Sequence, residues 1–98
     1  MISVCIATYN GSQYIRRQLE SIIAQLSDGD EIIISDDGSS DTTLEIIREL
    51  SCPLIKIYQN QGEHGYTPNF ENALRHAKGH YIFLSDQDDV WREDRVSV

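Results

Sequence analysis

Three aspartates, Asp86, Asp88 and Asp89, crowd the stretch FLSDQDD and are the residues best suited to bind a metal ion. Carboxylates so close repel one another unless a cation lies among them. Two carboxylates one residue apart at the end of a strand can point the same way. Such oxygen ligands suit Mg²⁺ or Mn²⁺, which bind one or two carboxylates with phosphates and water. The spacing therefore predicts a divalent metal ion at Asp86 and Asp88, the alternative being a solvated acidic loop or a set of N-cap residues.

A second acidic pair, Asp36 and Asp37, precedes Gly38 in the stretch IIISDDGSSDTT. One of these carboxylates could accept a hydrogen bond from a nucleobase N–H or a ribose hydroxyl. The other interpretation is an Asx turn in which Gly38 takes a positive φ, a common way to leave a strand. Both interpretations hold if each aspartate has one of the two roles, and Asp37 is then our candidate for the ligand contact.

Thr8, Tyr9 and Asn10 follow the first apolar run and combine an aromatic ring with two hydrogen-bonding side chains. A tyrosine here can stack on a planar base, or it can close the core with its hydroxyl in water. The sequence contains neither G-x-x-x-x-G-K-[ST] nor G-x-G-x-x-G, so a phosphate would be bound by a metal ion or a helix terminus. The loop at residues 60–69 leads into a helix and offers such a terminus.

Composition narrows the classes of partner. The 98 residues include 16 acidic and 8 basic side chains, which gives a formal charge of −8. Nucleic-acid-binding surfaces need clustered Lys and Arg, so a nucleic-acid partner is not expected. The protein's own field would oppose an anionic ligand, which would therefore need a metal ion or a helix amino terminus.

Other features favour a globular protein of the cytoplasm. No apolar run approaches the roughly 20 residues that span a bilayer, and no basic segment precedes the first strand pattern, which argues against a signal peptide. Cys5 and Cys52 lie in apolar surroundings and are expected to be reduced thiols. No set of His and Cys has the spacing of structural zinc, and we interpret His64 and His76 as surface residues.

Apolar patterning places these residues on alternating strands and helices. Short apolar or β-branched runs predict four strands, at residues 2–8, 31–35, 54–58 and 80–85. Helical spacing predicts three helices between them, around residues 15–26, 44–50 and 70–77. Ser39 or Ser40 is expected to cap the second helix, Thr67 with Pro68 to begin the third, and Gly79 to close it.

This alternation predicts an α/β fold with an open, mainly parallel sheet of about four strands and right-handed crossovers. Ligands of such sheets bind outside the carboxyl ends of the strands. The polar clusters TYNGS, DDGSSD and DQDD follow the first, second and fourth strands. All three are therefore expected at one edge of the sheet, and their convergence predicts a binding site.

With these motifs in place, the chain resembles the amino-terminal, nucleotide-binding half of family 2 glycosyltransferases of the GT-A fold, over residues 2 to about 95. SVCIATYNGSQYIRRQLESIIAQ is similar to the opening strand and helix of that family, and IIISDDGSSDTT to its second-strand signature. NFENALRHAKGHYIFLSDQDDVW resembles the run into the metal-binding D-x-D, most closely in the bacterial rhamnosyltransferase-like branch. On this resemblance, residues 1–98 are the donor-binding part of a GT-A domain, without its acceptor half.

The resemblance implies a metal-dependent, inverting sugar transfer in cell-surface polysaccharide synthesis. The donor would be a nucleotide diphosphate sugar, such as dTDP-rhamnose or a UDP-sugar, and the acceptor a polysaccharide or a lipid-linked saccharide. Asp86 and Asp88 match the D-x-D, with Asp88 as the direct ligand of Mg²⁺ or Mn²⁺. Residues at the first two strand ends would bind the nucleotide: Ala7, Thr8, Tyr9, Asn10, Asp36 and Asp37.

The chain departs from the family pattern in two respects. Ser85 precedes the acidic residues, whereas many relatives have the first aspartate directly after the strand, so which carboxylate binds the metal stays open. The family's general base lies in its carboxyl-terminal half, so we expect that base beyond Val98 and expect this chain alone to be inactive. Uncovered sheet edges are expected to let the isolated chain dimerise, and the full-length enzyme is expected at the inner face of the membrane.

Two other functions remain open from the sequence. A sugar-phosphate nucleotidyltransferase is also α/β and metal-dependent, but it needs a glycine-rich basic loop after the first strand, and Gly11 with Arg16 and Arg17 is a poor match. A receiver-like Mg²⁺-binding signalling domain also gathers aspartates at strand ends. Its acidic pair should follow the first strand, where this chain has TYNGS.

Overall fold

Strands and helices alternate along the chain, as the sequence patterns predict. The computed structural model describes residues 1–86. Its elements, in chain order, are β1 (Ile2–Thr8), α1 (Ile15–Ile23), β2 (Glu31–Asp36), α2 (Thr43–Glu49), β3 (Ile55–Gln59), α3 (Tyr66–His76) and β4 (Tyr81–Asp86). The four strands form one parallel sheet in the order β3-β2-β1-β4. This architecture confirms the predicted α/β fold class.

The two central strands, β1 and β2, are buried almost throughout. Every residue of β2 is buried, and so is every residue of β1 after Ile2. A parallel strand covered on both faces needs a nearly continuous apolar run rather than an alternation of apolar and polar residues. The runs ISVCIAT and EIIIS meet this need, and they place the ends of β1 and β2 at the centre of the sheet edge.

Helices pack on both faces of the sheet. Successive strand residues point to opposite faces, so β1 and β2 supply apolar side chains to two separate clusters. On one face, α1 and α2 pack against a cluster that includes Val4, Ile6, Ile32 and Ile34. On the other face, α3 packs through Phe70 and Ala73 against Cys5, Ala7 and Ile33. No helix within residues 1–86 has the length and apolar character needed to cross a membrane.

The start of α2 differs from the prediction. The helix begins at Thr43, with Thr42 in the N-cap position, so neither Ser39 nor Ser40 caps it. Ser39 instead donates its hydroxyl to Asp36 at 2.6 Å. The Ser39 hydroxyl can bind either the Asp36 carboxylate or the first turn of α2, and the local sequence does not show which of the two hydrogen bonds forms.

The limits of α3 also differ from the prediction. The helix begins at Tyr66 after Gly65, which has a φ of +124°, so Thr67 lies inside the helix and does not cap it. It ends at His76, before Gly79 is reached. Gly79 has another role, because a Cβ there would lie 2.6 Å from Ser3 Oγ and 2.8 Å from the Ser3 nitrogen. This glycine lets the chain pass close to β1 on its way into β4.

A buried carboxylate joins the strands at the amino edge of the sheet. Glu31 accepts hydrogen bonds from the Ser3 hydroxyl at 2.6 Å, the Lys78 nitrogen at 2.7 Å and Lys56 Nζ at 3.0 Å. Burial raises the pKa of Glu31, but these hydrogen bonds outweigh burial and hold the pKa below its ordinary value. All of its partners are structural, and the network lies at the opposite end of the strands from the predicted site.

Both cysteines are free thiols, as expected. Cys5 is fully buried in β1, and Cys52 is half-buried. Burial, with a smaller effect of the Glu31 charge, raises the pKa of Cys5 to about 11. Cys5 is therefore a protonated core residue at neutral pH.

Candidate functional site

The carboxyl ends of β1, β2 and β4 lie side by side at one edge of the sheet, called here the carboxyl edge. In the strand register, Thr8 pairs with Asp36 and Ala7 pairs with Asp86. With this register, β1, β2 and β4 end at nearly the same level in the sheet. The polar residues at these ends are neighbours, as the sequence predicts.

Asp36 holds the turn that leaves β2. It is fully buried, and its Oδ1 accepts hydrogen bonds from Thr8 Oγ1 at 2.7 Å and Ser39 Oγ at 2.6 Å. Its Oδ2 accepts the backbone N–H groups of Gly38 at 3.1 Å and Ser39 at 2.8 Å, and Gly38 has a φ of +86°. With four donors around it, this carboxylate has the structural role that the Asx-turn interpretation describes.

Asn10 ties the loop after β1 to the loop after β2. Its Oδ1 accepts the Ser40 N–H at 2.8 Å, and its own N–H donates to Ser39 Oγ at 2.9 Å. The residue has a φ of +50°, a left-handed conformation that asparagine tolerates better than most residues. The side chain is therefore used within the protein, and Asn10 shapes the site instead of pointing freely into it.

A second set of contacts joins the same two loops one turn further on. The Gly11 N–H donates to Thr43 Oγ1 at 2.9 Å, and the Ser12 N–H donates to Asp41 Oδ2 at 3.1 Å. Thr43 in turn donates both its hydroxyl and its N–H to Asp41 Oδ1. The hydrogen bond from the Thr43 side chain is the largest of the effects that lower the pKa of Asp41 to about 2. Asp41 therefore stays ionised and fixes the start of α2 against α1.

The other predicted nucleotide contacts at the end of β1 differ in exposure. Ala7 and Thr8 are buried, and the Thr8 hydroxyl is committed to Asp36. Tyr9 is 56% exposed at the carboxyl edge. Of these three residues only Tyr9 is exposed, and an aromatic side chain in this position offers a face for a planar base.

Asp37 is held by the loop that joins β3 to α3. Its Oδ1 accepts a hydrogen bond from Asn60 Nδ2 at 3.0 Å and lies 2.9 Å from His64 Nδ1, and its Oδ2 accepts the Gly65 N–H at 2.9 Å. Burial raises the pKa of Asp37, but the hydrogen bonds from Gly65, Asn60 and His64 outweigh it and lower the pKa below its ordinary value. Asp37 is therefore an ionised acceptor at neutral pH, with 10% of its side chain exposed.

A buried polar chain anchors α3 to the carboxyl edge. Asn69 Nδ2 donates to the Thr8 carbonyl at 3.2 Å, and its Oδ1 accepts the Ser35 hydroxyl at 2.7 Å. Asn72 Nδ2 donates to the same Ser35 oxygen at 2.8 Å. The Asp37 N–H also reaches the Thr8 carbonyl, at 3.0 Å. Asn69 and Asn72 thus set the height of α3 above the strand ends.

Sequence reasoning singled out the loop at residues 60–69 only for its helix terminus and interpreted His64 as a surface residue. It did not predict that Asn60, His64 and Asn69 form hydrogen bonds with Asp37 and Thr8. Asparagine and glycine are typical loop residues, so Asn60 and Gly65 indicate a loop. Only the folded chain shows that both donate hydrogen bonds to Asp37. His76, the second histidine, stacks on Tyr58 with ring centroids 3.7 Å apart.

The predicted metal ligands lie at the end of the described chain. Asp86 is the last residue of β4, and Asp88 and Asp89 lie outside the described residues. Among the side chains that the structure describes, which do not include that of Asp86, no three acidic, histidine or cysteine groups lie closely enough to hold a metal ion. The metal site stays a prediction that depends on residues after β4.

Comparisons with known proteins agree with this geometry. The model of the family described as Glycosyl transferase family 2 matches residues 3–98. The dTDP-rhamnosyl transferase RfbG of Shigella flexneri is 41% identical over 98 residues, which cover 93% of this chain and 34% of RfbG. The UDP-Glc:alpha-D-GlcNAc-diphosphoundecaprenol beta-1,3-glucosyltransferase WfaP of Escherichia coli is 36% identical over 97 residues, which cover 99% of this chain and 39% of WfaP. The chain thus spans a little over a third of the length of these two relatives.

A solved structure shares the fold. The mannosyltransferase PcManGT from Pyrobaculum calidifontis, in complex with GDP-Man and Mn²⁺, has a TM-score of 0.87 to this chain at 27% sequence identity. The match covers 98% of this chain and 30% of PcManGT. The whole described sheet therefore has a counterpart in that enzyme.

Proposed function

The chain belongs to glycosyl transferase family 2, and from that premise we propose that its carboxyl edge binds the nucleotide of a nucleotide-sugar donor. The observation that carries this proposal is the pair formed by exposed Tyr9 and ionised Asp37 at that edge. An aromatic face and a carboxylate acceptor together match a nucleobase, which has a flat surface and N–H groups at its rim. The resemblance seen in the sequence is confirmed at the level of the family.

The buried residues around this pair act as its frame. Asp36 and Asn10 use their side chains on the loops after β1 and β2, so in this proposal they position Tyr9 and Asp37 instead of contacting the base themselves. Ala7 and Thr8 contribute backbone at the floor of the site. A frame fixed in advance lowers the entropy cost of ordering the site when a ligand binds.

Asp86 and Asp88 are proposed to hold Mg²⁺ or Mn²⁺ next to this nucleotide. Carboxylate oxygens are suitable donors for either ion, and Asp86 ends β4 beside Ala7 of β1, at the level of the proposed nucleotide site. The mannosyltransferase PcManGT, which shares the fold, was solved with GDP-Man and Mn²⁺. A bound dication would supply charge neutralisation for the donor diphosphate and stabilise it as a leaving group.

Metal binding also answers the electrostatic problem of an acidic chain. A formal charge of −8 opposes the approach of a diphosphate. Asp86 and Asp88 would present a much smaller negative field if they held a dication. A diphosphate would also suit such an ion, because small dications prefer oxygen ligands.

The complete reaction is proposed to be an inverting sugar transfer to a polysaccharide or lipid-linked acceptor, with the general base beyond Val98. The named acceptor of WfaP, a diphosphoundecaprenol-linked sugar, supports a lipid-linked saccharide as the acceptor class. Location of the full-length enzyme at the inner face of the membrane stays a prediction. The nucleotidyltransferase and receiver alternatives have no support from the family match.

Titration of UDP, dTDP and GDP into the full-length protein, with and without Mn²⁺, tests the proposal. We expect metal-dependent binding of one nucleotide class. Asp37→Ala should weaken that binding by roughly tenfold to a hundredfold, the usual effect of losing a hydrogen bond to a charged group. Asp88→Ala should remove the dependence on metal.

Asp28→Ala provides the control, because Asp28 is an exposed aspartate in the loop between α1 and β2, at the other end of the sheet. Its nucleotide affinity should equal that of the wild type. Unchanged binding in a folded Asp37→Ala variant would contradict the nucleotide site proposed here, and metal-independent binding would contradict the metal site.

A further inference from the structure

One loop surrounds the Asp37 carboxylate with donors, and we call residues 60–65 the Asp37 clasp. Asn60 Nδ2, His64 Nδ1 and the Gly65 N–H lie 3.0, 2.9 and 2.9 Å from the carboxylate oxygens. The clasp is also braced internally, because Asn60 Nδ2 donates to the Glu63 carbonyl at 2.8 Å and its N–H donates to the Asp36 carbonyl at 2.8 Å. Asp37 is therefore held in one orientation by the chain itself.

The clasp leaves one acceptor position on Asp37. An ionised carboxylate has about four lone-pair sites, two on each oxygen. Asn60 and His64 both bind Oδ1 and fill it, whereas Gly65 alone binds Oδ2. A ligand that keeps the clasp intact can therefore donate one N–H, and it must donate that N–H to Oδ2.

We propose, on the basis of the function proposed above, that His64 is a specificity-determining residue that makes this site select a uracil or thymine nucleoside diphosphate over guanosine diphosphate. Uracil and thymine present a single imide N–H between two carbonyl groups, which suits one free acceptor. Guanine presents two parallel N–H groups, at its ring and its amino nitrogen. To satisfy both, guanine needs both carboxylate oxygens, as a bidentate donor does.

His64 is the member of the clasp that decides this selection. An ionised carboxylate only accepts hydrogen bonds, so Nδ1 of His64 carries the proton in this pair. The His64 side chain is 78% exposed, so its removal leaves no cavity, whereas Gly65 donates through the backbone. Loss of the imidazole frees one acceptor position on Oδ1 while Asn60 and Gly65 keep Asp37 in place.

The test measures the affinities of full-length wild-type protein and variants for UDP, dTDP and GDP at saturating Mn²⁺. The wild type should bind either UDP or dTDP, whichever has the higher affinity, about tenfold more tightly than GDP. A tenfold difference is the usual effect of one hydrogen bond to a charged group. His64→Ala should reduce that ratio several-fold, towards equality. His64→Gln, whose amide nitrogen lies beyond the Nδ1 position, should act in the same way.

Two variants serve as controls. His64→Asn places an amide N–H where Nδ1 stands and should retain the wild-type ratio, which a merely structural role for the histidine would not require. His80→Ala removes an exposed histidine at the amino edge of the sheet and should change nothing. Equal or tighter binding of GDP by the wild type would overturn the inference.

The outcomes separate this inference from the proposed function. If Asp37→Ala weakens binding as expected but both His64→Ala and His64→Gln retain the wild-type ratio, the nucleotide site stands and the role of His64 is wrong. If no nucleotide binds to the folded protein, or if Asp37→Ala binds as the wild type does, the proposed function and the inference both fail.

Discussion

At the scale of single residues, two adjacent aspartates with identical chemistry have different roles. Asp36 is fully buried and accepts four hydrogen bonds, one from Thr8 at the end of β1 and three from Gly38 and Ser39 in the loop after β2. Asp37 is partly exposed and accepts its hydrogen bonds from the loop after β3. Successive side chains of an extended chain point to opposite sides, so these neighbouring aspartates meet different surroundings.

This difference predicts that the two alanine substitutions lower the free energy of unfolding by different amounts. Asp36→Ala leaves buried donors of Thr8 and Ser39 without an acceptor and should lower the free energy of unfolding by about 1–3 kcal/mol. Asp37→Ala should cost less, because water reaches the exposed donors of His64 and Gly65. Urea denaturation of both variants measures the difference. A larger loss of stability for Asp37→Ala would contradict the roles assigned here.

At the scale of elements, the sheet depends on close passage of the chain at its amino edge. β4 can enter beside β1 only because residue 79 has no side chain, and Ser3 and Met1 occupy the space where one would lie. The Ser3 hydroxyl, which accepts the Gly79 N–H at 2.7 Å, also donates to Glu31 in β2. A change at residue 79 therefore disturbs three strands at once.

Gly79→Ala should destabilise the protein by about 1–3 kcal/mol through overpacking, since two of the nearest atoms belong to the backbone and cannot rotate away. Thermal and urea unfolding measure the loss. Gly62→Ala is the matched control, because its Cβ would lie 3.7 Å from Asn60 Oδ1, an ordinary contact distance. Equal stability of the two variants would contradict this prediction, because it would mean that β1 moves away from the added methyl group without loss of stability.

At the scale of the whole molecule, the acidic composition is organised by the fold. Folding lowers the pKa of Asp30, Glu31, Asp37 and Asp41, in each case through hydrogen bonds from backbone or side-chain donors. The chain thus stabilises charge at both edges of the sheet, even though its net charge is −8. Dimerisation of the isolated 98-residue chain through its uncovered edges stays a prediction.

These pKa values predict how stability depends on pH. A carboxyl group whose pKa is lower in the folded state stabilises the protein above its unfolded pKa, near 4, and that stabilisation is lost as the pH falls through the folded value. The free energy of unfolding should therefore be steady from pH 7 to about 5 and fall between about pH 4 and 2. Urea titrations across this range measure it, with Asp41→Asn expected to flatten the curve. Stability that rises on acidification would contradict the assignment.

The sequence by itself determined the order of strands and helices, the α/β class and the family. Each of these follows from short-range patterns: apolar runs for β1 and β2, helical spacing for the helices, and polar clusters after three strands. The predicted caps of α2 and α3 were wrong, because Asp36 draws Ser39 away from the helix and Gly65 moves the start of α3 by its backbone conformation.

Only the tertiary structure decided which residues shape the carboxyl edge. Asn60, His64 and Gly65 are more than 20 positions from Asp37 in the chain, and Asn69 is further still from Thr8, yet each pair is joined by a hydrogen bond. Residue type gives a carboxylate its ability to accept, but the number of acceptor positions left for a ligand depends on donors that the fold brings from elsewhere. For that physical reason the sequence could identify Asp37 as a candidate, and only the folded chain could show that His64 takes one acceptor position on its Oδ1.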